Sequence, residues 1–236
     1  RCLFLVANPN SSKSITDTLE QLISRPPGCD ITFFTGPEGA PPSINDEETS
    51  VQSEQACLEV LKAQGQDFDA ILVACYSDHP LVKSLRKHFP GKAIIGIFEA
   101  SMAHALLLGS KFGIVTTGQA WEALLTKGVA AFFGSEAPAT NPASWRNARF
   151  AGVASTGFSA TELHEAHPDD VSRKIGEAAR KLVEEEGAEV ICLGCAGMTG
   201  MEEAIRKGVS DQRVEVIDGV QAGVNLLAGL ARRNMA

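Results

Sequence analysis

Concentrated positive charge is missing from this sequence. Its 21 Lys and Arg residues are outnumbered by 29 Asp and Glu, the formal net charge is −8, and no basic run is longer than two residues. Nucleic acids and anionic membranes are bound through clustered positive charge, so neither is expected as a partner. No apolar run approaches the roughly 20 residues that cross a bilayer, and no secretory segment is visible; a cytoplasmic location is the expectation. Several phosphate and nucleophile signatures are also absent. No G-x-G-x-x-G follows the first strand pattern, no G-x-x-x-x-G-K-S/T occurs, and there is no G-x-S-x-G. Dinucleotide enzymes, nucleotide-phosphate enzymes and α/β-hydrolase esterases are demoted accordingly.

What is present suits a globular enzyme. The chain has 236 residues, 44% hydrophobic and 21% charged, enough for one large α/β unit or two small packed lobes. Its six cysteines, Cys2, Cys29, Cys57, Cys75, Cys192 and Cys195, would suggest three disulfides in a small secreted protein, but a chain this long and core-rich has no need of them. Reduced thiols are expected, most of them acting only as small buriable side chains. Cys192 and Cys195 form a C-x-x-C, yet Cys192 should lie inside a strand and Cys195 at its tip. No second C-x-x-C or H-x-x-x-H completes a zinc set, so no metal is expected. His164 and His167 are spaced as H-x-x-H without the H-E-x-x-H of a zinc protease, and read as a solvated approach to a helix.

Short apolar or β-branched runs alternate with amphipathic stretches. Strands are expected at Cys2–Ala7, Asp30–Thr35, Ala70–Ala74, Ala93–Ile97, Lys111–Thr116, Arg149–Ala154, Glu189–Leu193 and Val214–Ile217, with helices among them at Ser12–Ser24, Glu47–Gln64, Pro168–Glu186 and Gly219–Arg232. Ser11-Ser12 and Asp169-Asp170 are the expected helix starts. Continuous apolar strands separated by helices indicate α/β architecture with parallel sheets covered on both faces. Two irregular stretches, Gly36–Asn45 and Gly134–Asn147, read either as plain connections or as rims over a site. An internal echo adds to this. FLVANPNSSKSI is followed by ILVACYSDHPLV, and FGIVTTGQAWEAL by VICLGCAGMTGM. Each reads strand, polar tip, helix, and the second tip of each pair carries a cysteine. Two pseudo-symmetric lobes follow, residues 1–98 plus 217–236 and residues 99–216, facing each other across a cleft.

Ligands of open parallel sheets collect at the carboxyl ends of strands, where Cys75 and Cys195 both fall. A thiol at a helix start meets free N–H groups and the positive end of the helix dipole, which favour its thiolate. Ser77 and the small Ala196-Gly197 pair allow backbone amides to approach a ligand oxygen. Thr116 and Thr117 offer hydroxyls at another tip. Asn8 and Asn10 flank Pro9, with Asn10 favoured as a ligand contact and Asn8 as turn architecture. His79 reads equally as a neighbour that tunes Cys75 and as an exposed first-turn residue.

The motifs NPNSS, GPEGAPPSI, ACYSDHP, IGIFEAS, GIVTTG and LGCAGM occur in the order found in hydantoin and allantoin racemases. Over roughly Asn8 to Met198 the chain resembles that branch of the aspartate/glutamate racemase superfamily, and its fungal relatives linked to nitrogen catabolism. The resemblance implies a cofactor-independent racemase acting on a small molecule, assembled as a homo-oligomer. Cys75 and Cys195 would be opposed acid/base thiols, with substrate contacts from Asn10, Ser77, Thr116, Thr117, Ala196, Gly197 and Met198. Ile44, Phe98 and Phe158 are candidates for the wall around a 5-substituent. Glutamate and aspartate racemases typically carry Cys-Asn-Thr and Cys-Thr-His at the two tips. The present Cys75-Tyr76-Ser77 and Cys195-Ala196-Gly197 depart from that pattern and weaken an amino-acid substrate. Two cysteines argue against decarboxylation of the arylmalonate type, which keeps one. Isomerisation of another small carbonyl acid, such as aspartate, glutamate or maleate, and simple metabolite binding are the alternatives.

Overall fold

The computed structural model describes residues 1–210 and 213–232. They fall into two compact units, Arg1–Ala100 with the segment from Val220 onward, and Ser101–Gly219. Residues 233–236, assigned from sequence to the returning segment of the first lobe, lie outside the described residues.

The first unit contains β1 (Cys2–Asn8), α1 (Lys13–Leu22), β2 (Cys29–Thr35), α2 (Glu47–Gln64), β3 (Ala70–Val73), α3 (Pro80–His88) and β4 (Ala93–Gly96), together with the first turn of α4 (Ile97–Leu108). Its sheet runs β2-β1-β3-β4, with every neighbouring pair parallel. The second unit holds β5 (Phe112–Thr116), α5 (Ala120–Phe132), β6 (Phe150–Ser155), α6 (Glu162–Glu165), α7 (Pro168–Arg180), β7 (Val190–Leu193), α8 (Glu202–Gly208) and β8 (Glu215–Asp218). Its sheet runs β6-β5-β7-β8, again parallel throughout. The two sheets share one strand permutation, which is the architectural meaning of the echo between the two halves of the sequence.

The central strands β1, β3, β5 and β7 are almost wholly buried because both sheet faces are covered by helices. Around β1 and β3, Leu5, Ile71 and Val73 pack on Leu61 of α2 and on Leu81 and Leu85 of α3. Around β5 and β7, Val115, Ile191 and Leu193 pack on Ile175 of α7 and Ile205 of α8. The final helix α9 (Gly219–Arg232) returns to the first unit. There Gln221 exchanges hydrogen bonds with the backbone of Ser24 (2.8 and 3.1 Å), and a Cβ at Gly223 would lie 2.6 Å from Leu72.

Helix starts differ from the sequence expectation in two places. Ser12 occupies the N-cap of α1 but makes no side-chain cap bond. At α7 the cap is His167, whose Nδ1 accepts from Asp169 N at 3.3 Å, with Pro168 in the first turn. Asp169 and Asp170 sit inside that turn, where their charge meets the helix dipole. The α3 start repeats the device with His79 and Pro80. Proline suits the first helical position because the N–H it lacks has no intrahelical partner there. Helix α2 opens on a capping box, Asp46 Oδ1 accepting from Thr49 N at 2.8 Å and Thr49 Oγ1 accepting from Asp46 N at 3.1 Å. No helix among the described residues is long and apolar enough to cross a membrane.

Helices α7 and α8 touch through glycine. A Cβ built on Gly176 would lie 2.8 Å from Gly208 Cα, and one on Gly208 would lie 2.1 Å from Gly176 Cα. These obstacles are backbone, so an alanine must push the helices apart. Gly176→Ala is expected to destabilise the protein by about 1–3 kcal/mol, measured by urea denaturation, despite alanine's better helix propensity.

Candidate active site

In each sheet the chain leaves the first strand toward one side and later returns on the other. The carboxyl ends of β1 and β3, and of β5 and β7, therefore flank topological switch points, where open α/β sheets take their ligands. Four tips result: Asn8–Ser12 and Ala74–His79 in the first unit, Thr116–Gly118 and Gly194–Met198 in the second. Every polar or thiol residue singled out from sequence as catalytic or substrate-binding lies on one of them.

The second unit's tips are joined tightly. Gly194 N donates to Val115 O at 2.6 Å, and Thr116 Oγ1 donates to Gly194 O at 3.1 Å. A Cβ on Gly194 would stand 2.5 Å from Val115 O, so only glycine lets the two backbones approach this closely. Thr116 is expected from sequence to offer a ligand hydroxyl; here its hydroxyl proton ties the β5 end to the β7 turn, and its oxygen keeps its acceptor capacity. Thr117 is buried, its carbonyl accepting from Gly157 N at 3.0 Å. Cys195 follows with an extended backbone (φ −158°, ψ 140°) and caps a single helical turn, Ala196–Met198. Its Sγ accepts from Gly197 N at 3.3 Å. Burial pushes the Cys195 thiol up to about 11, opposed by the lowering effect of the Gly197 and Met198 N–H groups. Cys195 is thus a protonated thiol at neutral pH, with two amides ready to receive the thiolate when it forms. Next to the turn, Thr199 buries a hydroxyl that has no hydrogen-bond partner among the described residues.

In the first unit, Cys75 is half-buried and its Sγ lies 3.7 Å from Ser77 Oγ. Ser77 N donates to Cys75 O at 3.0 Å, curling the tip. Tyr76 meets Phe98 edge-on at 5.4 Å, and Ser77 and Phe98 share the lining of a cavity of about 70 Å³ with Arg86 and Glu99. At the β1 tip, Asn8 Nδ2 lies 2.9–3.2 Å from Asn10 Oδ1, Ser12 O and Thr16 Oγ1, which makes Asn8 the organiser of the turn. Ser12 N donates to Asn10 Oδ1 at 2.9 Å. A backbone N–H can only donate, so the Asn10 amide is fixed with its Nδ2 turned the other way, available as a donor. Gly36 N donates to Asn8 O and Asn10 O, both at 2.9 Å, and Pro41 O accepts from Ser11 N at 3.0 Å. The Gly36–Asn45 stretch therefore packs against this tip. Ile44 is buried, and Phe158 packs on the second unit's core.

His79 is neither exposed nor a simple first-turn residue. It is 1% exposed, and its Nδ1 accepts from Leu81 N at 3.2 Å while its Nε2 lies 3.4 Å from Ser53 Oγ. Burial holds its pKa down at about 4, against the raising effect of the Asp78 carboxylate. Ser53 Oγ donates to Pro9 O at 2.9 Å, and Cys57 Sγ to the same carbonyl at 3.3 Å. Ser53 has no place in the sequence reading, and Cys57 enters it only as one of the buriable thiols. The available signal was the stripe Ser50, Ser53, Cys57, Leu61 on the buried side of α2, which places small polar groups where a core helix usually carries aliphatics. His164 is exposed, and no group of three or more His, Cys, Asp or Glu among the described residues could hold a metal ion.

The family model described as Asp/Glu/Hydantoin racemase matches residues 5–227. An uncharacterized protein of Schizosaccharomyces pombe is 38% identical over 233 residues, covering 98% of this chain and 92% of the relative. A hydantoin racemase of Pseudomonas sp. is 27% identical over 223 residues, 93% of this chain and 82% of that protein. Among solved structures, the allantoin racemase from Pseudomonas fluorescens superposes with a TM-score of 0.82 at 30% identity, covering 98% of this chain and 92% of that one.

Two measurements check these electrostatics. With its thiol near 11, Cys195 is expected to react with iodoacetamide at a rate rising about tenfold per pH unit from about pH 7 to 9.5, followed by peptide mass spectrometry; levelling within that range would contradict the burial effect. For His79, the folded value of about 4 lies below the ordinary 6.5. The unfolded chain therefore binds the proton first, and stability present above about 6.5 is lost as pH falls toward 4. That loss amounts to about 2 kcal/mol between pH 8 and 5. Urea denaturation of His79→Asn should show a shallower acid dependence than wild type by about this amount.

Proposed function

The chain belongs to the Asp/Glu/Hydantoin racemase family, and from that premise we propose that it inverts the C5 centre of a hydantoin, allantoin or another 5-substituted member, without a cofactor, by proton transfer through Cys75 and Cys195. The observation that carries this reading is the recurrence of a cysteine two residues beyond the third strand of each four-strand sheet, at the same switch-point position of one shared topology. The likeness to an allantoin racemase and to a hydantoin racemase supports the choice of ring.

A hydantoin carries its acidic hydrogen on a carbon next to a ring carbonyl. One thiolate takes that hydrogen: the C–H bond breaks, an S–H bond forms, and the electron pair moves into the carbonyl as an enolate. The other thiol then gives its proton to the opposite face of the carbon, and the enolate returns to carbonyl. Two groups are required because a single one tends to return the proton to the face it came from. A thiol, ordinarily near a pKa of about 8.5, works far closer to neutral pH than a serine hydroxyl. Cys195, held protonated by burial, is suited to the donor role at rest. When it acts as base, the Gly197 and Met198 amides offset the charge it acquires. Amides of the Ala196–Met198 turn and the Asn10 Nδ2 group are the donors for charge developing on ring oxygens. Ser77 adds a hydroxyl beside the Cys75 thiol.

The test is proton NMR in deuterated buffer with enantiopure allantoin and an enantiopure 5-alkyl hydantoin offered separately, polarimetry alongside, and an enzyme-free control. Loss of the C5-hydrogen signal together with decay of rotation, both faster than control, is the expected result. Exchange and rotation equal to control for both substrates would overturn the hydantoin reading. Cys75→Ser and Cys195→Ser are each expected to lower racemisation by about 10²–10⁴-fold with an unchanged circular-dichroism spectrum, and full activity in either would remove the two-thiol mechanism.

A further inference from the structure

We propose that His79 is a positioning residue which, through Ser53, holds the β1 tip bearing Asn10 at a fixed distance from the β3 tip bearing Cys75; the proposal rests on the reading of Cys75 as an acid/base group. The directions of the hydrogen bonds establish the chain. His79 Nδ1 accepts from Leu81 N at 3.2 Å and so carries no proton. The ring is neutral at physiological pH because burial disfavours its cation. Its one N–H is therefore on Nε2, 3.4 Å from Ser53 Oγ, where it donates. Ser53 passes its own proton onward to Pro9 O at 2.9 Å. Every link has one possible sense, from the α3 start, across α2, to the residue preceding Asn10.

The equivalent position in the second unit shows what this chain does. There a direct side-chain bond, Thr116 Oγ1 to Gly194 O at 3.1 Å, reinforces the backbone bond from Gly194 N to Val115 O. In the first unit Asn8 stands where β5 has Thr116, and its side chain is turned into its own loop. The backbone bond has its counterpart in Ala74 N to Ala7 O, but the side-chain link from one tip to the other runs through His79, Ser53 and Pro9, all on different elements. Ser53 and Cys57 are 0% exposed and His79 1%, so the relay is shielded from water that would compete for its bonds. An apolar core residue would fill the same space without directing anything. A buried relay of defined polarity is useful where two loops must keep their spacing and orientation. At stake is the alignment of a thiol with a substrate-binding amide, where errors of about 1 Å cost orders of magnitude in rate.

The experiment separates capping from positioning. His79→Asn keeps an acceptor for Leu81 N at the N-cap but is too short to reach Ser53, whereas Ser53→Ala removes the middle of the relay and leaves the cap intact. Two readouts are taken on folded protein, judged by circular dichroism: kcat and KM for C5-hydrogen exchange, and the rate of Cys75 alkylation by iodoacetamide, with Cys75→Ser as the control. Each variant is expected to lower kcat by about ten- to a hundredfold with a smaller change in KM, and to alter Cys75 alkylation by about threefold or more. The double variant should lose no more than the worse single one, since both cut one relay. Wild-type kcat and alkylation in a folded variant would overturn the proposal, as would losses that simply multiply in the double variant. If the wild type exchanges no hydantoin, the alkylation readout still decides the positioning role, and only the substrate reading falls.

Discussion

A single type of backbone hydrogen bond governs what the two thiols can do. Just past the end of the third strand of each sheet, an amide donates sideways to the carbonyl of the first strand: Ala74 N to Ala7 O at 2.8 Å, and Gly194 N to Val115 O at 2.6 Å. The cysteine is the next residue in both cases. These bonds fix the point at which the chain stops being strand and begins to turn, and so the point from which each thiol leaves the sheet. The side chain at the donor residue sets how near the strands come. Ala74 accommodates a methyl group, whereas at Gly194 a Cβ would meet the Val115 carbonyl. The same topology is thus built with two closeness settings, and the tighter one precedes Cys195, whose thiol burial pushes up to about 11.

The thiol chemistry then follows from a balance of burial against amides. Taking Cys195 out of water penalises the thiolate, while the turn that immediately follows it presents N–H groups to the sulfur. Burial wins in the resting protein, which leaves a proton on the sulfur, but the amides limit the cost of removing it.

Much of this was legible in the sequence, for identifiable reasons. The eight strands are short apolar runs bounded by turn residues, and Ala70–Val73 or Val190–Leu193 can hardly be anything else in an α/β chain. Their tips follow from strand ends, so the placement of Cys75, Cys195, Asn10 and Thr116 at those tips is legible by position alone. Caps were read less well. Serine and aspartate are stronger priors for an N-cap than histidine, yet His79 and His167 cap α3 and α7, each followed by proline at the first helical position. The relay through Ser53 was out of reach because it joins residues 44 and 26 positions apart in sequence. Periodicity identifies which side of α2 is buried, but not which carbonyl of a distant turn that side will meet.

The return of α9 to the first unit carries a temporal consequence. A chain made from its amino end completes the segment Ser101–Gly219 before the helix that finishes the earlier half has been synthesised. The Cys195 turn therefore belongs to an uninterrupted stretch, while the unit that presents Cys75 receives the packing of Gly223 on Leu72 and the bridge from Gln221 to Ser24 only from the later segment. The half encoded first is the half completed last.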